Sequence, residues 1–190
     1  MLKFRVLKYT MKILSKFIFT KILGWKLVGS FPKNIKKYVL IGAPHTSNID
    51  FIIGVLVRYM TKEKLNFIGK SSLFKGAFGF VFKILGGVPV DRSKNNNLVD
   101  AVINMFNAKD EFRLAMSPEG TRKKVEKWKT GFYYIAKGAK VPVVLFTFDF
   151  GKKQVAVSSP YYLTDNKEKD FAFFYNYFKD VKGKYPHLQK

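Results

Sequence analysis

What most constrains this chain is an alternation. After Phe31-Pro32, short apolar runs of strand length take turns with stretches whose apolar residues recur at helical spacing. Strands are expected at 38–43, 65–68, 88–91, 112–117 and 142–149, and helices at 48–60, 72–85, 96–108 and 129–139. Strands joined through helices pair parallel, because a helical crossover returns the chain to the same end of the sheet. The expected fold is therefore α/β, a mostly parallel central sheet flanked by helices. Gln154-Val155-Ala156-Val157 could add an antiparallel strand. Residues 167–182 read as a last helix whose Phe171, Phe174, Tyr175 and Phe178 form a stripe suited to core packing. With 190 residues, no repeat and no dividing linker, one domain with a sizeable core is expected.

Residues 2–23 precede this pattern and read as a basic amphipathic helix. Lys8, Lys12 and Lys16 recur every four residues on one side, while Ile13, Leu14, Phe17, Ile18 and Ile22 populate the other. Such a helix can lie in the plane of a membrane interface, with Trp25 at the headgroup level; the plainer alternative is a surface helix docked on the core. The expected organisation is a membrane-associating helix over residues 1–30 and a single domain over 31–190. The net charge of +22 attracts polyanions, whether nucleic acid, anionic lipid or acidic carriers. An aromatic share of 17%, with 20 Phe, favours the bilayer among them. The chain has no cysteine, which excludes disulfides, thiolate zinc sites and a cysteine nucleophile. Its two histidines are far apart, so no metal site is expected. No apolar stretch reaches the ~18 residues of a membrane span, and Lys8, Lys12, Lys16 and Lys21 interrupt any signal-peptide core. The expected location is cytoplasmic, peripheral on the inner face of the cell membrane.

Three segments at strand ends carry the candidate chemistry. In Ala43-Pro44-His45-Thr46-Ser47-Asn48-Ile49-Asp50, His45 falls where a strand gives way to a helix, the place where open α/β sheets gather ligands. A carboxylate on one ring nitrogen makes a histidine a better base. A pair five residues apart on a regular helix would point about 140° apart, so His45 must sit before the helix and fold back towards Asp50. Alternatively, His45 only starts the helix and Asp50 only favours its dipole. In Gly86-Gly87-Val88-Pro89-Val90-Asp91-Arg92, Arg92 could fork onto a phosphate, or Asp91-Arg92 could be a salt-bridged turn. In Ser117-Pro118-Glu119-Gly120-Thr121-Arg122-Lys123-Lys124, Gly120 permits a tight turn and three cations follow; the plain reading is a loop.

Taken together, these blocks resemble the glycerolipid acyltransferases, and within them most nearly the 1-acyl-glycerol-3-phosphate acyltransferase branch. The resemblance covers roughly residues 38–150, with Val141-Pro142-Val143-Val144 as a fourth, apolar block. It implies His45 as general base and Asp50 as its support. It implies Arg92, Glu119, Gly120, Thr121 and Arg122 at the acceptor and its phosphate. The implied reaction moves a fatty acyl group from an acyl thioester, acyl-CoA or acyl carrier protein, to the free hydroxyl of a lysophospholipid, with no metal or other cofactor. The foremost acceptor is 1-acyl-glycerol-3-phosphate, giving phosphatidate. Backbone N–H groups near Ser47–Asn48 are expected oxyanion donors. Three residues depart from the family pattern: Ser117 before Pro-Glu-Gly, Lys123 after the arginine, and Leu145 where the fourth block often has a second proline. They leave open which lysolipid is the acceptor. The implied partners are membrane lipids, the acceptor and the thioester carrier. A nucleic-acid partner is not expected, since no helix-turn-helix, zinc-finger or RNP signature occurs. The competing readings from charge alone are a basic nucleic-acid-binding protein and a noncatalytic membrane-surface module.

Overall fold

The computed structural model describes residues 2–76, 79–90 and 98–189. Along the chain run α1 (Leu2–Phe17), a π-helical turn (Ile18–Ile22), β1 (Lys26–Val28), β2 (Lys37–Ala43), α2 (Ile49–Thr61) and β3 (Leu65–Lys70). A 3-10 turn (Ser71–Phe74), α3 (Gly79–Ile84), β4 (Gly87–Val90), α4 (Leu98–Ala108), β5 (Phe112–Met116) and α5 (Gly131–Gly138) follow. The chain ends with β6 (Val143–Thr147), β7 (Gln154–Ala156), α6 (Lys167–Phe178) and a 3-10 turn (Pro186–Leu188). Five strands pair in the order β4-β3-β5-β2-β6, each pair parallel. The alternation of strand and helix thus yields the α/β sheet expected of it.

Strand β2, between β5 and β6, shows why residues 38–43 carry no charge. Val39, Ile41 and Ala43 point into a core shared with α4, α5 and α6, including Val102, Phe106, Phe132 and Phe174. Tyr38 and Leu40 point the other way, into a core with Phe19, Trp25, Ile53 and Val57. The side chains of β6 divide the same way: Val143 and Leu145 go to the first core, Val144 and Phe146 to the second. A strand covered on both faces has no polar side to show, so the period of two is masked by uniform hydrophobicity. Burying one such side chain contributes roughly 1.5–3 kcal/mol, against about 0–1 for an exposed ion pair such as Lys64–Glu111. The two apolar layers, not surface charge, hold the sheet.

The structure departs from the expected reading in four places. Trp25 is not at a surface level but 5% exposed, edge-on to Phe150 at 4.9 Å and packed in the second core with Phe19. Phe19 and Trp25 share this core with residues of β2, α2 and β6. The expected helix 72–85 is a 3-10 turn followed by a short α3, with residues 77 and 78 outside the described residues. At Gly79 a Cβ would lie 2.3 Å from the Phe74 carbonyl oxygen, so the chain folds back on itself there. Gln154–Ala156 does not form an antiparallel ladder; its ladder is parallel to β1, with single antiparallel bridges at Asp149↔Gln154 and Phe146↔Val157. The final helix stops at Phe178, though its aromatic stripe packs as expected, with Phe174 and Phe178 buried.

Among the described side chains of α1, few are buried. Ser15 is buried and Phe19 in the turn after it is fully so, whereas Ile13, Leu14, Phe17 and Ile22 are exposed by 47–63%. Lys16 is exposed and Lys12 half-buried; the side chain of Lys8 lies outside the described residues. Among the described residues no helix is long and apolar enough to cross a membrane.

Candidate active site

The register of β2 against β5 builds the site. Ile41 pairs with Met116, so the segments after the two strands, 44–48 and 117–124, leave the sheet side by side at its carboxyl end. The Ala43–Pro44 peptide is cis. His45 precedes α2 and folds back on its first turn, where its Nδ1 lies 3.0 Å from Asp50 Oδ2. A donated Nδ1–H fits this contact and leaves Nε2 as the basic nitrogen. The side chain of His45 is 27% exposed and that of Asp50 is 0% exposed.

Asp50 also orders the start of the helix. Its Oδ2 accepts the Ser47 N–H at 2.9 Å, and Ser47 Oγ accepts the Ile49 N–H at 3.1 Å. Asn48 occupies the N-cap position in helical rather than extended backbone and makes no side-chain cap; its carbonyl accepts the Phe51 N–H at 3.2 Å. The expectation that the Ser47 N–H would receive an oxyanion is corrected here: it is engaged by Asp50. Asp50 Oδ1 is buried and has no hydrogen-bond partner among the described residues.

Glu119 braces the same turn from the other strand. It is 5% exposed, and its Oε2 accepts the His45 backbone N–H at 2.7 Å and the Ser117 hydroxyl at 3.3 Å. Burial pushes its carboxyl above the usual glutamate range, and the His45 N–H partly offsets that shift. Gly120 adopts a positive φ of 66°, closing the turn from Ser117, and Thr121 Oγ1 accepts the Lys123 N–H at 3.2 Å. Arg122 is exposed and free of ion pairs among the described residues. Arg92 lies outside the described residues.

His45 and Asp50 open onto a cavity of about 770 Å³. It runs between α2 and the sheet, and its wall is mostly apolar: Phe51, Val55, Phe67, Leu85 and Phe146. Arg58, Lys70 and Arg122 are its cations. Of the loop residues 119–122 only Arg122 reaches the cavity wall; Glu119 acts on the backbone of His45 instead.

Sequence reasoning brought His45, Asp50 and Arg122 together but did not give the contacts of three neighbours. Ser117 was visible only as a departure from the family pattern, and it proves to be a donor to Glu119. Ser47 organises the helix start through both its backbone and its hydroxyl. Thr46, 4% exposed, accepts the backbone N–H of Tyr185 from the far end of the chain. Among the described residues no three His, Cys, Asp or Glu side chains come together as a metal site requires.

A histidine backed by a buried acid at the mouth of an apolar cavity can deprotonate a hydroxyl held against a long apolar substrate. Comparisons with known proteins give the family and the fold. The acyltransferase family model matches residues 28–148, which span every described segment of the site except the C-terminal contact to Thr46. The comparison with curated proteins finds no match. Among solved structures, the chain is similar to PlsC, the 1-acyl-sn-glycerophosphate (LPA) acyltransferase from Thermotoga maritima. The TM-score is 0.61 at 19% identity, over 90% of this chain and 76% of that one. At that identity the likeness is one of fold.

Proposed function

The chain belongs to the acyltransferase family, and we propose that it moves a fatty acyl group from an acyl thioester to the free hydroxyl of a lysophospholipid, foremost 1-acyl-glycerol-3-phosphate, giving phosphatidate. The observation that carries this reading is the His45–Asp50 pair, 3.0 Å apart, at the opening of a cavity whose wall suits a hydrocarbon chain.

In the proposed step, His45 Nε2 takes the hydroxyl proton as the oxygen attacks the thioester carbonyl. Asp50 holds the ring by Nδ1 and stabilises the imidazolium that forms, as the acid of a triad does. The Asn48 N–H, which has no acceptor among the described residues, is the remaining backbone donor for the oxyanion. When the tetrahedral intermediate collapses, the carbon–sulfur bond breaks and His45 returns the proton to the thiolate. Glu119 fixes His45 through its backbone, and Arg122 on the cavity wall is placed to meet the acceptor phosphate. The donor is acyl-CoA or acyl carrier protein, and both are anionic, as a +22 surface favours.

The exposed Ile13, Leu14, Phe17 and Ile22 of the first helix support a peripheral seat on an anionic membrane face, from which a lysolipid reaches the cavity without leaving the bilayer. The test is purified protein incubated with labelled acyl-CoA and acyl carrier protein and a panel of lysolipids, with products identified by mass. Phosphatidate from lysophosphatidate is the expected product; no acyl transfer to any lysolipid overturns the reading.

A further inference from the structure

A second groove lies beside the first. Its volume is about 480 Å³, and its walls come from three places. Thr46–Ile49 of the His45 turn form one wall, Arg122 and Lys123 a second, and Lys184, Tyr185 and Leu188 of the C-terminal tail the third. Arg122 lines both this groove and the large cavity, so one guanidinium stands between them.

The tail is held there by specific contacts. The Phe150 N–H donates to the Lys182 carbonyl at 2.7 Å. Gln189 folds back to accept the Gly183 N–H at 2.7 Å and to donate to the Val181 carbonyl at 3.1 Å. The Tyr185 N–H donates to Thr46 Oγ1 at 3.2 Å. Gly183 rests on the His45 turn so closely that a Cβ would lie 2.9 Å from Thr46 Oγ1 and 3.1 Å from Pro44 Cγ. Lys184 is therefore carried on a backbone fixed on both sides of it. This tail lies beyond residues 28–148, the part matched by the family.

The charge of the groove is one-sided. Arg122, Lys123 and Lys184 line it and no carboxylate does. None of the three makes an ion pair with a described residue. In a chain with 35 cations, three lysines and arginines in proximity are unremarkable. What distinguishes these is convergence on one concavity that shares a wall with the His45 cleft.

We propose that this groove is a phosphate-ester site whose cationic wall is Arg122, Lys123 and Lys184. It rests on the acyl-transfer reading, in which two substrates bring phosphate: the thioester carrier and the acceptor headgroup. The shared chemistry is an anionic phosphate oxygen received by charged donors.

The probes are adenosine 3′,5′-bisphosphate, which represents the phosphates of coenzyme A, and glycerol 3-phosphate, which represents the acceptor. Binding of each is measured by calorimetry, at physiological salt because exposed charges are screened, on the full chain and on Lys184→Gln, Lys184→Glu, Lys123→Gln and Lys33→Glu. Lys33 is exposed and lies before the amino end of β2, so it controls for bulk charge. Near-UV circular dichroism verifies the fold of each variant. We expect Lys184→Gln and Lys123→Gln each to weaken one probe by about five- to tenfold, and Lys184→Glu by more, with Lys33→Glu under about twofold. Loss confined to the bisphosphate assigns the groove to the thioester carrier, and loss confined to glycerol 3-phosphate assigns it to the acceptor. Unchanged binding of both probes, or an equal loss in Lys33→Glu, overturns the proposal. Because binding needs no turnover, a protein that binds through Lys184 yet transfers no acyl group would sink the proposed function and leave the groove standing.

Discussion

Strands β2 and β5 carry a polar constellation at each end, and the two ends differ in how far they are satisfied. At the amino end the Tyr38 hydroxyl donates to Glu63 Oε1 at 2.8 Å. Arg113 pairs with Glu63 at 3.1 Å and Glu111 at 2.7 Å, donates to the Ile35 carbonyl at 3.2 Å, and Lys64 closes on Glu111 at 3.0 Å. Burial and the Glu63 carboxylate push the Tyr38 hydroxyl far above the usual tyrosine range, so it stays a donor. At the carboxyl end, His45 turns a ring nitrogen towards a cavity, and Asp50 keeps one buried oxygen without a partner. The same two strands thus hold a closed network and an open one. A network with every atom occupied supports the fold and leaves nothing to offer a substrate. One with capacity left over costs stability and can do chemistry.

Four variants sharpen or break that contrast. The largest effect is expected for His45→Ala: kcat/KM falls by about 10³- to 10⁴-fold with the melting temperature nearly unchanged. Retained turnover within tenfold of the parent would remove His45 from the base role. Next comes Glu63→Ala at the closed end, which leaves the buried Tyr38 hydroxyl without its acceptor and Arg113 with one carboxylate instead of two, and should cost about 1–3 kcal/mol in urea unfolding. The folded fraction should keep its kcat/KM within about threefold, since the network does not line the cavity; a larger loss would couple the two ends. Asp50→Asn should lower kcat by about 10²-fold while KM for the acceptor holds, because it misplaces the imidazole proton rather than the substrate. An unchanged kcat would reduce Asp50 to a helix-start residue.

The smallest effect concerns Glu119. Its folded carboxyl keeps its proton to higher pH than an unfolded glutamate, so the folded state binds more protons across that window. The stability it contributes is present below the ordinary value of 4.5 and is lost as pH rises through the raised folded value. Glu119→Gln keeps the acceptor for the His45 N–H and removes that slope. Melting temperatures scanned from about pH 4 to 7 should therefore decline less with pH in the variant. Parallel curves would mean that Glu119 titrates no differently folded and unfolded.

What could be read in advance was local. The strands announced themselves by uniform hydrophobicity, and the fold-back of His45 onto Asp50 followed from helix geometry over five residues. What could not be read were side chains bonded to distant backbone. Glu119 serves an N–H 74 residues away and Thr46 one 139 residues away. Every residue but proline carries such a donor, so the partner leaves no signature in its type. Trp25 misled for a related reason: an aromatic after a basic helix suits an interface, yet β1, pairing with β7, draws it into the second core. Ser117 was noticed only as an irregularity and turned out to hold Glu119.

The ladder between Lys26–Val28 and Gln154–Ala156 has a practical corollary. It stitches the beginning of the chain to its last third, with Phe19 and Trp25 tucked beneath the seam. Cutting away the first thirty residues to make the protein easier to handle would tear open the interior rather than shed an appendage. Polar replacements at Ile13, Phe17 and Ile22, which face outward, would change how the first helix adheres and leave the seam sewn.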